Sequence, residues 1–244
     1  MRPLSIVCCD TELEAWPDGT LWYPELKILA VADLHLEKGS SFAAKAGRFL
    51  PPYDTRETLR NLAAACARHR PEIVVCLGDS AHDRDAAERI DSDDVAMVRK
   101  LVGASRWIWI AGNHDPAPPG AWGGEVSERF RIGPITFQHQ ALFGPAAGEV
   151  SGHYHPVAAL TARGRGLRRR CFVTDRQRII LPSFGAYTGG LNALDPAIAQ
   201  LFPDDYEVLL LGRTTPYRLS CRQIRADWTL ADTIITSRAR AQIL

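Results

Sequence analysis

Residues 31–42 read VADLHLEKGSSF, and this stretch decides the fold because a carboxylate and an imidazole follow directly on an apolar run. The run from Ile28 to Ala32 has the character of a buried strand, in which ionisable groups are costly unless they are paired. Side chains at positions i and i+2 of a strand lie on the same face, so Asp33 and His35 should converge. The spacing therefore predicts a metal site at the end of this strand.

The same design recurs further along the chain, where apolar runs are followed at once by side chains that bind metals. These side chains are Asp79, Asn113 with His114, His139, and His153 with His155. In open α/β folds, ligands bind beyond the carboxyl ends of the strands, so these positions can meet. Each signal is weak alone, because loop histidines are often satisfied by hydrogen bonds. As an ordered set they indicate one metal centre.

The composition is that of an ordinary globular protein, with 46% hydrophobic and 23% charged residues among 244. No stretch approaches the roughly 20 apolar residues that span a bilayer, and the N-terminus is a poor signal peptide. The six cysteines are scattered, which favours reduced thiols over a disulfide framework. We expect one cytoplasmic domain that has no contact with a membrane.

Charge is distributed unevenly along the chain. Residues 1–122 hold 14 Lys+Arg against 18 Asp+Glu, whereas residues 123–244 hold 15 against 10. Residues 162–178 alone carry seven arginines and one acid. A metal site flanked by a track for a polyanion is compatible with this asymmetry.

The order of elements predicts an α/β fold. The first half opens with a predicted hairpin, made of a strand over residues 4–16, a turn at 17–19 and a strand over 21–23. It then alternates apolar strands with helices, which are predicted over residues 55–69 and 84–102. The second half consists largely of short strands, among them 135–137, 171–174 and 178–181. Two sheets packed face to face, with helices outside, fit this order.

The motif order Asp-x-His, Gly-Asp, Gly-Asn-His-Asp, His, Gly-His-x-His, over residues 28–156, resembles the calcineurin-like metallophosphoesterases. The resemblance implies a four-layer α/β/β/α sandwich that binds two divalent metal ions. The ligands implied for one ion are Asp33, His35 and His155; those for the other are Asn113, His139 and His153; and Asp79 would bridge both. It also implies that His114 is the catalytic histidine.

In this family's chemistry, two ions about 3.5–4 Å apart clamp a phosphate and activate a water, and the resulting hydroxide attacks phosphorus. The mixed oxygen and imidazole ligands suit manganese, iron or zinc better than calcium. His114 would stabilise the transition state or protonate the leaving oxygen. Asp115 is a second catalytic candidate and would orient an imidazole.

A narrower resemblance rests on ADLHLEKGSSFA, on LPPYDTRETL, on the preceding LWYP and on LPSFGAYTGG at residues 181–190. These segments resemble the ligase-associated metallophosphoesterases, the PdeM family of DNA damage response endonucleases, over roughly residues 4–212. The resemblance implies a manganese-dependent phosphodiesterase that nicks single-stranded DNA in repair, in company with an ATP-dependent DNA ligase, a helicase and an exonuclease. Residues 216–244 match nothing in that family, so we expect a domain over 1–215 and a C-terminal extension over 216–244.

Several side chains beside the motifs are candidates for contact with the substrate: Lys38, His82, Arg163, Arg165 and Arg168. Each has a plainer alternative, which is a solvated loop residue for Lys38 and His82 and a charged hairpin edge for the arginines. Phe42 and Tyr53 could stack on bases or belong to the core.

Two other functions stay open on the sequence. The metal site recognises the phosphate and not the group esterified to it, so a small nucleotide-like phosphodiester is an alternative substrate. A non-catalytic metal-binding scaffold is a third interpretation, although every ligand position and His114 hold competent residue types. A homodimer is compatible with the sequence as well.

Overall fold

The computed structural model describes residues 1–46, 53–115, 118, 120–162 and 164–227, and it contains two sheets. The strands of the first sheet lie in chain order: β1 (Leu4–Cys8), β2 (Thr11–Ala15), β3 (Leu21–Tyr23), β4 (Ile28–Val31), β5 (Ile73–Leu77), β6 (Arg106–Ile110) and β7 (Glu125–Ser127). Strands β1 to β4 run antiparallel, and β4 to β7 run parallel.

The second sheet has the order β15-β14-β12-β13-β10-β9-β8. Its strands are β8 (Arg129–Ile132), β9 (Ile135–Gln138), β10 (Glu149–Ser151), β12 (Arg165–Thr174), β13 (Arg178–Ile180), β14 (Glu207–Leu210) and β15 (Tyr217–Ser220). Strand β11 (Val157–Ala162) pairs with the first half of β12, so the two form a hairpin that projects from this sheet. The central strands β9, β10 and β13 are parallel, while the outer pairs are antiparallel.

Helices cover the outer face of the first sheet. These helices are α1 (Lys38–Ala46), α2 (Asp54–His69), α3 (Ala86–Arg89) and α4 (Ser92–Val102), with a 3-10 turn at Gly120–Trp122. The short helix α5 (Pro196–Ala199) and a 3-10 turn at Cys221–Gln223 belong to the second half of the chain. Leu59 and Leu62 of α2 and Val98 of α4 belong to one buried cluster with the outward side chains of β4 to β6. None of the helices in the described ranges has the length and apolar character that crossing a membrane requires.

The main core lies between the two sheets. Alternate residues of the strands supply it, such as Ile28 and Ala30 from one sheet and Phe137 and Phe172 from the other. Burying one such large side chain contributes about 1.5–3 kcal/mol. The outer face of the second sheet is covered more thinly, by α5 and by Phe202 and Tyr206. The predicted α/β/β/α sandwich is confirmed, with a fourth layer that contains one short helix.

Three local predictions were wrong in their boundaries. The opening stretch 4–16 is a hairpin and not one strand, because Cys9 and Asp10 adopt left-handed conformations with φ of 45° and 60°. The predicted helix 84–102 is interrupted, because the Asp91 side chain accepts from the Asp93 N–H and so starts α4 afresh. Lys38 begins helix α1 instead of lying in a loop.

The first part of the predicted C-terminal extension belongs to the second sheet. Residues 217–220 form its edge strand β15, paired with β14, and Arg225 bridges to Ala159 of β11. Residues 228–244 lie outside the described residues.

Candidate metal centre

Strand ends from both sheets meet at one edge of the sandwich. Strands β4, β5 and β6 are in parallel register, with Val31 opposite Cys76 and Cys76 opposite Trp109, so they end at the same level. The residues that follow these ends are Asp33 and His35, Asp79, and Asn113 and His114. From the second sheet, His139 follows β9, and His153 and His155 follow β10.

The structure brings six of the predicted ligands into two groups of three, Asp33 with His35 and His155, and Asp79 with His139 and His153. Within each group the ligand atoms lie within 4.8 Å of one another. The second trio contains Asp79, which was predicted to bridge both ions, where the predicted set had Asn113. Asn113 is exposed on the same loop as His114.

In the first trio, the Nε2 atoms of His35 and His155 are 3.2 Å apart. The Nε2 of His155 is 3.5 Å from Oδ1 of Asp33. Asp33 is fully buried, and its Oδ1 has no hydrogen-bond partner among the described residues. A buried carboxylate oxygen without a hydrogen-bond donor is costly unless a cation binds to it.

In the second trio, Nδ1 of His153 is 3.1 Å from Nε2 of His139, which is 3.6 Å from Oδ2 of Asp79. The other ring nitrogen of His139, Nδ1, is 2.9 Å from the carbonyl oxygen of Leu77. A carbonyl only accepts, so Nδ1 carries the proton and donates it, and Nε2 presents a lone pair. The backbone thus fixes the tautomer that a metal ligand needs.

These residues fit a pair of divalent cations. Two imidazole nitrogens that face each other at 3.1–3.2 Å need a proton or a metal ion between them. Burial lowers the pKa of His35 to about 2, and burial also lowers the pKa of His153. Both rings therefore stay neutral near pH 7, which is the protonation state that binds metal.

The backbone at the ligands is strained. Five of the six clustered ligands adopt left-handed φ angles between 44° and 71°: Asp33, His35, Asp79, His153 and His155. This conformation costs an L-residue about 1–2 kcal/mol. Such strain persists where surrounding contacts impose it, and it concentrates at functional sites. Here the His153 N–H donates to Oδ2 of Asp33 (2.9 Å), and the His35 N–H donates to the Asp79 carbonyl (2.9 Å).

Comparison with known proteins agrees with this geometry. The sequence model of the family described as Calcineurin-like phosphoesterase matches residues 26–177. The chain belongs to this family. It is therefore a phosphoesterase, which is a hydrolase.

Among solved structures, nuclease MPE of Pseudomonas putida is 30% identical, with a TM-score of 0.68, over 88% of this chain and all of that one. This likeness supports the narrower resemblance to the ligase-associated enzymes. Yfce, a phosphoesterase from E. coli, is 15% identical over 79% of this chain and 97% of its own, with a TM-score of 0.40. A probable inactive purple acid phosphatase 29 of Arabidopsis thaliana is 27% identical over 95 residues, which are 37% of this chain and only 24% of that protein.

The candidate catalytic histidine of this phosphoesterase stands at the rim of the two trios. The side chain of His114 is 53% exposed, and its Nε2 is 4.0 Å from Oδ2 of Asp79. Its backbone N–H donates to the other carboxylate oxygen of Asp79 at 2.9 Å. The ring stacks on His82 with centroids 5.7 Å apart, and His82 stacks in turn on Phe42. The structure thus brings His82 and Phe42 beside the site.

Asp115 has a different place from the one predicted. Its buried carboxylate accepts from the backbone N–H groups of Ser80 (3.2 Å) and Ala81 (2.7 Å). It therefore braces the loop that carries Asp79 rather than an imidazole. Burial is the main reason that the pKa of Asp115 is raised to about 7.

The other predicted substrate contacts divide into two groups. Lys38, at the start of α1, lies near the site, and partial burial lowers its pKa. Arg165 stands at the distal end of the β11–β12 hairpin, away from the trios. Arg168 is engaged by the protein, since it pairs with Asp227 at 2.9 Å and donates to the Gly190 carbonyl. Arg163 lies outside the described residues, and Tyr53 is 67% exposed.

An arginine cleft beside the centre was only partly visible in the sequence. It has a volume of about 450 Å³, and we define it by four arginines: Arg168, Arg169, Arg170 and Arg213. Val157, two residues after the ligand His155, lines it as well. The arginine run within residues 162–178 contains three of these four side chains. Arg213 comes from a distant segment, and only the fold brings it here.

The LPSFGAYTGG segment braces the first metal loop. The Phe184 N–H donates to the Ala32 carbonyl (2.8 Å), and the Gly185 N–H donates to the Asp33 carbonyl (3.2 Å). From behind, the guanidinium of Arg170 donates to the Ser183 carbonyl at 2.6 Å. The sequence identified the segment by resemblance, but these contacts with Asp33 give it a physical role.

Proposed function

We propose that this phosphoesterase is a metal-dependent phosphodiesterase that cleaves single-stranded DNA. The observation that carries the proposal is the pair of facing trios, whose imidazole nitrogens approach to 3.1–3.2 Å around buried carboxylates. Similarity to a nuclease over 88% of the chain supports a nucleic acid as the substrate. Manganese is the metal that the resemblance to the ligase-associated enzymes implies, and the mixed oxygen and imidazole ligands suit iron or zinc as alternatives.

Each side chain then has a defined task. Asp33, His35 and His155 would hold one ion, and His139 and His153 the other. Asn113 would complete the second set, and Asp79 would join the two. When bound, two divalent ions neutralise the charge of the phosphate and activate water. The buried positions of Asp33 and Asp79 keep these carboxylates away from competing water, which strengthens their attraction to a cation.

His114 is the residue we assign to the leaving group. Its half-exposed ring can reach a substrate, and its Nε2 lies 4.0 Å from Oδ2 of Asp79. A protonated imidazole at this rim can donate a proton to the leaving oxygen of a phosphodiester. Contact of its backbone N–H with Asp79 ties the position of His114 to that of the metal loop.

The arginine cleft favours a polymer over a small phosphodiester. Phosphates on either side of the cleaved one need cations outside the metal centre, and backbone phosphates supply most of the sequence-independent affinity. The cleft adjoins the His155 loop through Val157, so a strand leaving the metal centre can reach it. A small nucleotide-like substrate would have no use for these arginines.

The proposed biological setting rests on the family resemblance. We propose a cytoplasmic enzyme of DNA repair that works with an ATP-dependent DNA ligase, a helicase and an exonuclease, without a membrane. Co-purification of a tagged chain with these enzymes, and sedimentation of the pure protein to test for a homodimer, would check the assignment.

The central experiment uses circular single-stranded DNA with manganese, beside circular duplex DNA and a His114→Ala variant. A circle has no ends, so its linearisation reports endonuclease action. We expect the single-stranded circle to be cleaved by the wild-type protein and to stay intact with the variant. An intact circle, together with hydrolysis of a small phosphodiester, would refute the DNA assignment and retain the phosphodiesterase. Loss of both activities would favour the non-catalytic scaffold.

A further inference from the structure

We propose that Leu142 and Phe143, at the crest of the loop after His139, form a stacking platform for a base of the single-stranded substrate. The proposal deepens the proposed function, because it names what recognises the strand next to the phosphate in the metal centre. We refer to these two residues as the Leu-Phe platform.

The platform is exposed where large apolar side chains are usually covered. The Phe143 side chain is 70% exposed, and its neighbour Leu142 is 49% exposed. Residues 140–148, QALFGPAAG, contain no Asp, Glu, Lys or Arg. Adjacent exposed apolar residues mark a surface that binds something flat and uncharged.

A buried ion pair holds the platform in place. The Nη2 of Arg178 donates to the carbonyl of Leu142 (2.5 Å) and to that of Gly144 (3.3 Å), on either side of Phe143. Arg178 is 1% exposed and pairs with Glu149 at 2.5 Å. A buried charge is costly, so its use to clamp an exposed loop calls for a reason.

The same ion pair also fixes the backbone nitrogen of the platform. Oε2 of Glu149 accepts from the Leu142 N–H (3.2 Å), and it accepts from the Gln138 side chain (2.9 Å). Both backbone polar groups of Leu142 are therefore bound to one rigid pair. A surface ordered in advance loses little entropy when a ligand binds, which raises affinity.

The platform lies close to the metal centre. Gln138, which shares Glu149 with Leu142, directly precedes the candidate ligand His139. Four residues of chain bound the distance between the Cα atoms of His139 and Phe143 at about 14 Å. Between them, Ala141 packs in the buried cluster on the outer face of the second sheet. The Gln140 side chain contacts the hydroxyl of Tyr154, whose ring meets that of the candidate ligand His153 edge-on at 5.0 Å.

A base is the occupant that these features favour. Base stacking on an aromatic ring tolerates any sequence, and removal of the ring weakens binding by about 5- to 150-fold per base. The uncharged loop does not attract phosphates, whereas the arginine cleft does. The two surfaces would divide the strand between them, with bases on the platform and phosphates on the arginines. A second copy of this chain is the competing occupant.

The test measures DNA binding by a protein that carries His114→Ala, so that the oligonucleotide is not cleaved during the titration. We would titrate this protein and its Phe143→Ala, Phe143→Tyr and Val126→Ala derivatives into a labelled oligothymidylate with manganese. Val126→Ala is the control, since Val126 is an apolar residue that is 52% exposed but lies on the edge strand β7 of the other sheet. We expect a 5- to 150-fold weaker affinity for Phe143→Ala and no change for Phe143→Tyr or Val126→Ala.

A second measurement locates the base. One abasic position is moved along the oligonucleotide, and the resulting loss of affinity is measured for the protein with Phe143 and for the Phe143→Ala derivative. At the position that stacks on Phe143, the abasic site should weaken binding by the first protein but not by the second, because the substitution has already removed that contact. Hydrolysis of a small phosphodiester by Phe143→Ala with His114 intact should equal that of the wild type, which shows that the metal centre is unchanged.

The outcomes separate this proposal from the proposed function. Tight binding of oligothymidylate with no effect of Phe143→Ala would overturn the platform alone. Absence of any oligonucleotide binding, with small-substrate hydrolysis intact, would overturn both the platform and the DNA assignment. A dimer that dissociates in Phe143→Ala while DNA affinity is unchanged would overturn the platform in favour of a second copy.

Discussion

At the scale of single residues, the candidate ligands show how a site can be built from unfavourable backbone. Asp33, His35 and Asp79 all adopt left-handed φ angles, although none of them is glycine. The geometry holds because each loop bonds to another, as when the His35 N–H donates to the Asp79 carbonyl. A change that loosens one loop should therefore disturb ligands in the others.

Gly78 offers a sharp test of this coupling. It has a φ of +75°, and a Cβ there would lie 2.2 Å from Nδ1 of His139. We expect Gly78→Ala to displace His139, to break its bond to the Leu77 carbonyl and to weaken manganese binding measured by calorimetry.

Gly164→Ala is the matched control, because Gly164 has a φ of +71° and open space around it. Gly164→Ala should lower the free energy of unfolding by only the backbone strain of about 1–2 kcal/mol, and it should leave the metal affinity unchanged. Equal metal affinities for the two variants would contradict the assignment of His139 as a ligand that needs this clearance.

His69 provides a prediction about pH away from the site. Its ring stacks on Trp22 and meets Trp16 edge-on, and burial there lowers its pKa to about 4. The unfolded chain binds this proton below about pH 6.5, whereas the folded protein does not until about pH 4. The free energy of unfolding should thus fall as the pH drops through this window.

His69→Phe retains an aromatic ring at this position and removes the group that titrates. In metal-free buffer, denaturant titrations at pH 7 and pH 4.5 should show a smaller loss of unfolding free energy for His69→Phe than for the wild type. The comparison cancels the titration of other groups, since both proteins share them. Equal losses would show that His69 does not contribute to acid sensitivity.

At the scale of elements, the segment at residues 181–190 acts as a brace between the sheets. Ser183 bridges to Ala32, at the end of β4, and the next two N–H groups donate to the carbonyls of Ala32 and Asp33. A Cβ at Gly185 would lie 2.1 Å from the Leu34 carbonyl, so only glycine lets the two backbones approach. Through this contact the second sheet positions the first ligands.

Gly185→Ala should therefore lower phosphodiesterase activity and manganese affinity, because the Asp33–His35 loop must move. Gly189→Ala, in the same segment, has nothing within 4 Å of the added Cβ and should behave as wild type. Hydrolysis of a small phosphodiester across a manganese titration would measure both. A normal manganese dependence in Gly185→Ala would exclude the brace as a positioning device.

The elements also show where sequence patterns succeed and fail. The predicted helix 55–69 and the strand that ends at Leu77 follow from apolar periodicity, and α2 and β5 match them closely. The break at Asp91 was missed because the periodicity of 84–102 runs through it, and the cap depends on one side chain. Strand β11 was missed because its outer half is exposed and its partner is a run of arginines.

At the scale of the whole molecule, the fold brings positive charges from different parts of the chain together on one surface. The sequence placed the positive excess in the second half, but the fold gathers Arg168, Arg169 and Arg170 with Arg213 into one cleft. Arg168 pairs with Asp227, and Arg170 is half-buried and donates to the Ser183 carbonyl. Arg169 and Arg213 are exposed, and Arg169 donates only to the carbonyl of its neighbour Arg168 among the described residues. Arg169 and Arg213 are therefore the side chains available to phosphates.

We expect Arg169→Ala with Arg213→Ala to weaken binding of single-stranded DNA and to reduce its dependence on salt. Each lost phosphate contact should lower the slope of log K against log salt concentration by about 0.7. Arg131→Ala, an exposed arginine of the opposite edge strand β8, is the control. An unchanged slope in the double variant would remove the cleft from the DNA path.

The sequence by itself determined the α/β class of the fold, the family and the eight positions from Asp33 to His155 that carry the motifs. It could do so because buried strands must be apolar, and because polar side chains directly after them are costly without a partner. The two sheets and their shared core follow from the same patterns.

Only the tertiary structure decided that Asp115 braces a backbone loop and that Arg213 joins the arginine run. It also placed a buried Arg178 behind the exposed Phe143. These relations join residues distant in the chain through single hydrogen bonds and close backbone approaches, and no local pattern records them. They arise when packing of the two sheets brings those residues within bonding distance.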